Sequence, residues 1–213
     1  MSTTIEQSVE TTLQVFDSDL DERAFARALS AQVIAWDIET TGLDWRTEWI
    51  GTVQLQVDDM TYLVRVPDEA PHRLMALIED PSILKILHHA MFDLRFLAYR
   101  WDVVPAHIAC TKIASKLVDP QMPCKEHSLA PLALRYLGIS LDKGPQTSDW
   151  TGHLSASQFE YAANDVRYLK RLYERLDLEI RKRGLLDLRE RCYAYLPTQV
   201  ELEVGGFPDV FAY

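Results

Sequence analysis

The stretch "VIAWDIETTGL", Val33 to Leu43, sets Asp37 and Glu39 at the end of an apolar run. Val33, Ile34, Ala35, Trp36 and Ile38 are residues of a buried strand. Successive strand side chains point to opposite faces, so Asp37 and Glu39 share one face. Two like charges side by side repel, and burying either is costly. A chain that folds this run into its centre must supply a partner for two neighbouring carboxylates.

The chain has 213 residues, 47% of them apolar, enough for one domain with a sizeable core. Cys110, Cys124 and Cys192 lie far apart, are odd in number and show no metal-ligand spacing, as expected of reduced thiols in a cytoplasmic protein. The N-terminal residues have neither a basic nor an apolar leader region, and no apolar run approaches the roughly 20 residues needed to span a bilayer. The net charge is −10. Proteins that grip long nucleic acid present a basic surface, so this charge argues against a long duplex. It leaves room for a small anionic ligand held by local cations or by metals.

Along the chain, "TLQVF" (Thr12–Phe16) reads as a strand, and Ser18 as the N-cap of a helix over "DLDERAFARAL". "WIGTVQLQV" and "TYLVRV" alternate like a hairpin, with Asp58 and Asp59 at the turn. Pro71 begins a helix. "SILKILHHA" reads as a strand, and "MFDLRFLAYRW" as the helix after it. "IACTKIASKLVDP" runs from strand to helix, and "SLAPLALRYLGI" is a helix closed by Gly138. The segment that begins at Leu154 reads as one long helix, opened by a Ser155/Gln158 capping box and ended by Gly184. Pro197 is expected to break the helix that follows. The order describes an α/β domain, a mixed sheet flanked by helices, over residues 1–196, with a C-terminal tail over 197–213.

Chemistry-bearing residues recur on these elements. Asp93 of "HHAMFD" falls in the first turn of a helix that follows a strand. Tyr161 and Asp165 of "YAAND" stand four apart, on one helix face. Four converging carboxylates are stable around divalent cations, and hard oxygen ligands suit Mg2+ or Mn2+. Two such ions about 3.5–4 Å apart can clamp the attacking and leaving oxygens of a phosphodiester.

"DIETTGL", "HHAMFDLRFL" and "YAANDV" resemble the three motifs of the DEDD 3′–5′ exonucleases, in the tyrosine branch that holds RNase D and polymerase proofreading domains. The resemblance runs from about Thr12 to Leu186 and implies an RNase H-like fold. It further implies that Asp37, Glu39 and Asp165 hold one metal ion, and that Asp37 and Asp93 hold a second. Tyr161, with Glu39, would orient and deprotonate the attacking water. Leu43 takes the place of an apolar wedge on the terminal base, and Thr40 that of a contact to the 3′ end.

Short length, acidity and a compact core are similar to the nano-RNase C group of small oligoribonucleases. That similarity implies a substrate of very short RNA, chiefly 5′-phosphorylated diribonucleotides, and a homo-oligomer, an octameric ring. The apolar tail after Pro197 would then be an assembly strap, or would pack back on its own core. A dinucleotide enzyme must also hold the 5′-phosphate. Candidates are Lys112, Lys116, Lys125, His127 and Ser128, together with His88 and His89 as substrate contacts or as satisfied histidines at a strand end. As adjacent strand residues, His88 and His89 are expected to face opposite ways, which argues against a zinc pair. Two other readings stand: a general exonuclease on longer RNA or DNA, and an inactive exonuclease fold acting as a nucleic-acid adapter.

Overall fold

The computed structural model describes residues 12–66, 70–141, 150, 154–207 and 209–212. The elements run β1 (Thr12–Asp17), α1 (Glu22–Ser30), β2 (Val33–Thr40), β3 (Ile50–Val57), β4 (Met60–Arg65), α2 (His72–Glu79), β5 (Leu84–Leu87), α3 (Met91–Trp101), β6 (Ile108–Cys110) and α4 (Thr111–Val118). A short 3-10 turn over Cys124–His127 leads to α5 (Leu129–Leu137), α6 (Ala156–Arg167), α7 (Leu169–Lys182) and α8 (Leu186–Val204). The α/β expectation holds: six strands form one mixed sheet in the order β1-β4-β3-β2-β5-β6. The middle strands β2, β3 and β4 are antiparallel, whereas β1 joins β4 and β5 joins β2 in parallel.

Pairing explains why β2 can carry carboxylates. On one side β2 pairs with β3 along its length, Asp37 opposite Gln54 and Glu39 opposite Thr52. On the other side β5 pairs only with Val33, Ile34 and Ala35. The sheet edge of β2 beyond Ala35 is therefore free for α3, which starts just after β5. Opposed residues share a face, and Gln54 is in turn opposite Leu63 of β4. Asp37, Gln54 and Leu63 thus lie on one face, and Leu63 packs there with Trp150, Leu154 and Ala162 of α6. The register alone brings α6, with Tyr161 and Asp165, over Asp37.

The hairpin differs from its sequence pattern in one respect. Alternation of Thr52, Gln54 and Gln56 with apolar residues suggests a wet face, yet β3 is buried throughout. The α6 side covers that face, and the polar side chains bond to one another in part: Gln54 donates to Thr52, and Thr61 donates to Gln56, while Gln54 Oε1 is buried without a partner.

Three helix boundaries also differ. Asp21, not Ser18, caps α1, its carboxylate accepting from Ala24 N at 2.7 Å. Ser18 has φ 74° and belongs to the turn before it. The single long helix is two, parted at Tyr168 (φ −106°, ψ −4°). The two halves bury their stripes against different partners: Ala162 against the sheet, Leu172 and Leu176 against Ala114 and Leu132 of α4 and α5. One straight helix could not face both.

Finally, α8 continues through Pro197 to Val204. A mid-helix proline costs about 3 kcal/mol. Burial of Tyr193, Leu196 and Val200 on the same helix offsets it, each apolar side chain contributing about 1.5–3 kcal/mol. The Tyr193 hydroxyl also donates to Cys110 O at 3.2 Å.

Candidate active site

Four acidic residues arrive from three elements. Asp37 and Glu39 come from the end of β2, Asp93 from the first turn of α3, and Asp165 from α6. Carboxylate oxygens of Asp37, Glu39 and Asp165 lie within 4.8 Å of one another. Asp93 stands behind them, only 2% exposed. Its own backbone N–H and that of Ile38, which separates the two strand carboxylates, act on it to lower its pKa.

Burial and mutual repulsion act together on these groups. Burial first, then the charges of Asp93, Asp165 and Glu39, raise Asp37 far above the usual carboxylate range. Burial, then Asp165 and Asp93, lift Glu39 to about 8. Burial lifts Asp93 to about 8, against the pull of those two backbone N–H groups. Burial lifts Asp165 to about 7, and a hydrogen bond from Tyr161 draws it back down. At neutral pH the protein alone cannot ionise all four, so protons or cations must share the site. The donors are all carboxylate oxygens, the hard set that suits Mg2+ or Mn2+. The residues present fit a divalent-metal site.

Tyr161 stands one helical turn before Asp165. Its ring tilts over Trp150 with centroids 6.2 Å apart. Asp37, Tyr161 and Asp165 open onto a cavity of about 480 Å3. Its lining also includes His88, His89, Lys112, Lys125 and Ser128.

The two histidines do not face opposite ways, because β5 ends at Leu87 and they lie in the turn beyond it. His89 takes the left-handed φ of 62°, and both residues line the one cavity. His88 Nδ1 lies 2.9 Å from Thr111 Oγ1. Burial, helped by Lys112, holds His88 down at about 3, so it is neutral in the working range. Burial and Lys112 likewise lower His89.

Of the other cation candidates, Lys116 is not in the cavity lining. His127 is buried, its ring held between Ser115 Oγ at 2.9 Å and Met122 O at 3.2 Å. Thr40 donates its hydroxyl to Gly42 O at 2.6 Å, which turns it toward the following loop. Leu43 on that loop is 85% exposed.

Sequence reasoning passed over the first turn of α5, where Leu129, Ala130 and Pro131 complete the wall near Ser128. It also passed over Trp150, the floor under Tyr161, which has no local pattern to mark it.

No helix among the described residues is long and apolar enough to cross a membrane. Residues 13–181 match the family described as 3′-5′ exonuclease. The chain is 31% identical over 209 residues to DNA polymerase I of Aquifex aeolicus, covering 88% of this chain and 34% of that protein. It is 31% identical over 159 residues to ribonuclease D of Haemophilus influenzae, covering 73% of this chain and 39% of that one. It thus spans well under half of these curated relatives. NrnC of Brucella melitensis with bound Mg2+ superposes at a TM-score of 0.86 with 32% identity, over 95% of this chain and all of that one (100%). The same protein bound to pGG superposes at 0.86 with 34% identity, over 95% and 99% of the two chains. With its three motifs gathered into one site, the chain belongs to the 3′–5′ exonuclease family of the DEDD type.

Proposed function

We propose that this protein is a metal-dependent 3′–5′ exoribonuclease that hydrolyses very short RNAs, chiefly 5′-phosphorylated diribonucleotides, to nucleoside monophosphates. The observation that carries the reading is that Asp37 and Asp165 of the carboxylate cluster share one cavity with Lys112, Lys125 and Ser128. A cavity of that size suits a small ligand gripped at both ends. Brucella NrnC, similar over nearly the whole chain, has been seen with Mg2+ and with pGG, which supports a short RNA substrate.

Asp37, Glu39 and Asp165 would hold one divalent ion, and Asp37 and Asp93 a second. Such a pair supplies charge stabilisation to both oxygens of an in-line displacement and makes water a better nucleophile at neutral pH. The chain's own residues do the rest. Tyr161 Oη, its proton directed at Asp165, offers lone pairs that orient the attacking water. Glu39 helps to take the proton released. Leu43 packs on the 3′-terminal base, with Thr40 beside it at the 3′ end. Lys112 and Lys125, with Ser128, His88 and His89, receive the 5′-phosphate by charge-assisted hydrogen bonds. His88, held neutral, would contribute as a hydrogen-bonding group and not as a charge.

A second reading, a general exonuclease on longer strands, is favoured by one surface feature. Trp49 is exposed and the Arg100 guanidinium lies over it at 4.2 Å. Arginine and aromatic surfaces of this kind stack single-stranded bases. An inactive adapter is disfavoured, since all four carboxylates and Tyr161 are in place.

A homo-oligomer is part of the proposal. Phe207, Val210 and Phe211, beyond the end of α8, are exposed apolar residues that a second copy would cover.

The test is to incubate the protein with a 5′-phosphorylated diribonucleotide in Mg2+ and in EDTA. Mononucleotides formed only with metal support the proposal. No cleavage in Mg2+ or Mn2+ overturns it.

A further inference from the structure

Leu43 is the most exposed large apolar side chain among the described residues, and the loop that carries it is braced. Thr41 is the centre of the brace. Its hydroxyl donates to Glu48 Oε2 at 2.6 Å and accepts from Trp49 N at 2.9 Å, while its own N–H donates to Trp49 O at 3.0 Å. Between the two ends, Asp44 folds the chain into a turn, its carbonyl accepting from Thr47 N at 3.0 Å and Glu48 N at 2.8 Å.

Gly42 completes the arrangement. A Cβ there would come within 2.8 Å of Glu48 Cδ and 2.9 Å of Cγ, so the Glu48 side chain lies directly on the Gly42 backbone. Any larger residue would push Glu48 away from Thr41. Thr40 Oγ1 fixes the other side of the same peptide by donating to Gly42 O at 2.6 Å. The residue so held, Leu43, packs on little of the protein itself.

We propose that the Thr41–Glu48 clasp is a positioning device: it holds Leu43 in the place where it meets the terminal base of the substrate. The proposal rests on the role given to Leu43 above and deepens it. Thr41 and Glu48 are positioning residues. They act through Leu43 and touch neither the reacting atoms nor a metal ligand. A free apolar side chain would have to be ordered at each binding event, and a braced one has that ordering done in advance. Both hydrogen-bonding groups are at the surface, so losing them loosens the loop without unfolding the domain.

The test is a double-mutant cycle with a 5′-phosphorylated diribonucleotide as substrate. Glu48→Ala is expected to raise KM on the order of five-fold, the weight of a lost hydrogen bond, and to leave kcat nearly unchanged. Thr41→Val is expected to do the same, and Thr41→Ser, which keeps the hydroxyl, to restore KM. In a Leu43→Ala background Glu48→Ala should add nothing. Amide hydrogen exchange in residues 42–49 should quicken in Thr41→Val and Glu48→Ala, independently of activity. If Leu43→Ala raises KM but the Glu48 effect is absent or simply adds to it, the clasp proposal fails while the role of Leu43 survives. If Leu43→Ala leaves KM unchanged, the role of Leu43 and the clasp proposal fall together.

Discussion

The backbone N–H of Ile38, the residue that separates Asp37 from Glu39, draws the Asp93 carboxyl down against the burial that raises it. The tie runs from the first turn of α3 to the unpaired edge of β2, which exists because β5 pairs no further than Ala35. It fixes a helix carboxylate against two strand carboxylates before any cation arrives. The site is therefore preorganised, and the cost of the arrangement is the repulsion among its own charges.

That cost predicts an unusual mutant. Asp37 is raised by burial and by all three of its neighbours. Asp37→Asn removes an acid that must take up a proton or a cation to be buried here, and is expected to raise the melting temperature of the metal-free protein while abolishing hydrolysis. Thermal melts in EDTA, alongside a Mg2+ assay, check both. Substantial residual activity would remove Asp37 from the mechanism.

The same repulsion sets a pH dependence. Unfolded carboxylates lose their protons near pH 4. In the metal-free fold, Glu39 and Asp93 keep theirs to about 8 and Asp165 to about 7. Between those limits the folded protein binds more protons than the unfolded chain, and Asp37, raised by the same causes, adds to the difference, so stability falls as pH rises. Divalent ions take over from the protons, so stabilisation by Mg2+ is expected to grow across this window. Melting temperatures with Mg2+ and with EDTA from about pH 5 to about pH 9 measure it. A metal effect independent of pH would contradict the assignment.

Tyr161→Phe keeps the ring against Trp150 and loses only the hydroxyl. The rate is expected to fall by about 10²–10⁴, the usual weight of a proton-handling or positioning group. Mg2+ binding, read from the metal-induced shift in melting temperature, should persist. Near-normal turnover would exclude the hydroxyl from the chemistry.

Gly51→Ala tests the packing under the site. A Cβ on Gly51 would stand 2.7 Å from Trp150 O, a backbone atom that cannot swing away. Overpacking of this kind costs about 1–3 kcal/mol. A drop of about 2–4 °C per kcal/mol is expected for a domain of this size. An unchanged melting temperature would show that Trp150 sits elsewhere.

The carboxylates and Tyr161 were legible because each sits on a regular element, where spacing alone fixes the face. The shared face of Asp37 and Glu39 on a strand and the i, i+4 step from Tyr161 to Asp165 are both of this kind. The split at Tyr168 was not legible, since the apolar stripe continues through it and only the separate partners of α6 and α7 part the helices. Nor was the passage of α8 through Pro197, where tertiary burial overrides a local breaker. His88 and His89 read as strand residues, yet β5 stops one residue earlier and sends both into the cavity. The wall at Leu129 to Pro131 comes from a helix start brought in by the fold, with no chemistry of its own to announce it.

A cavity proposed to grip both ends of a short RNA must favour the shortest substrate. The most direct measurement is the initial rate on a 5′-phosphorylated dimer against a seven-nucleotide RNA of the same base, at equal low concentration in Mg2+. Faster cleavage of the dimer is expected, with the advantage lost when the 5′-phosphate is removed. Equal rates, or faster cleavage of the longer RNA, would contradict it and leave the general exonuclease reading in its place.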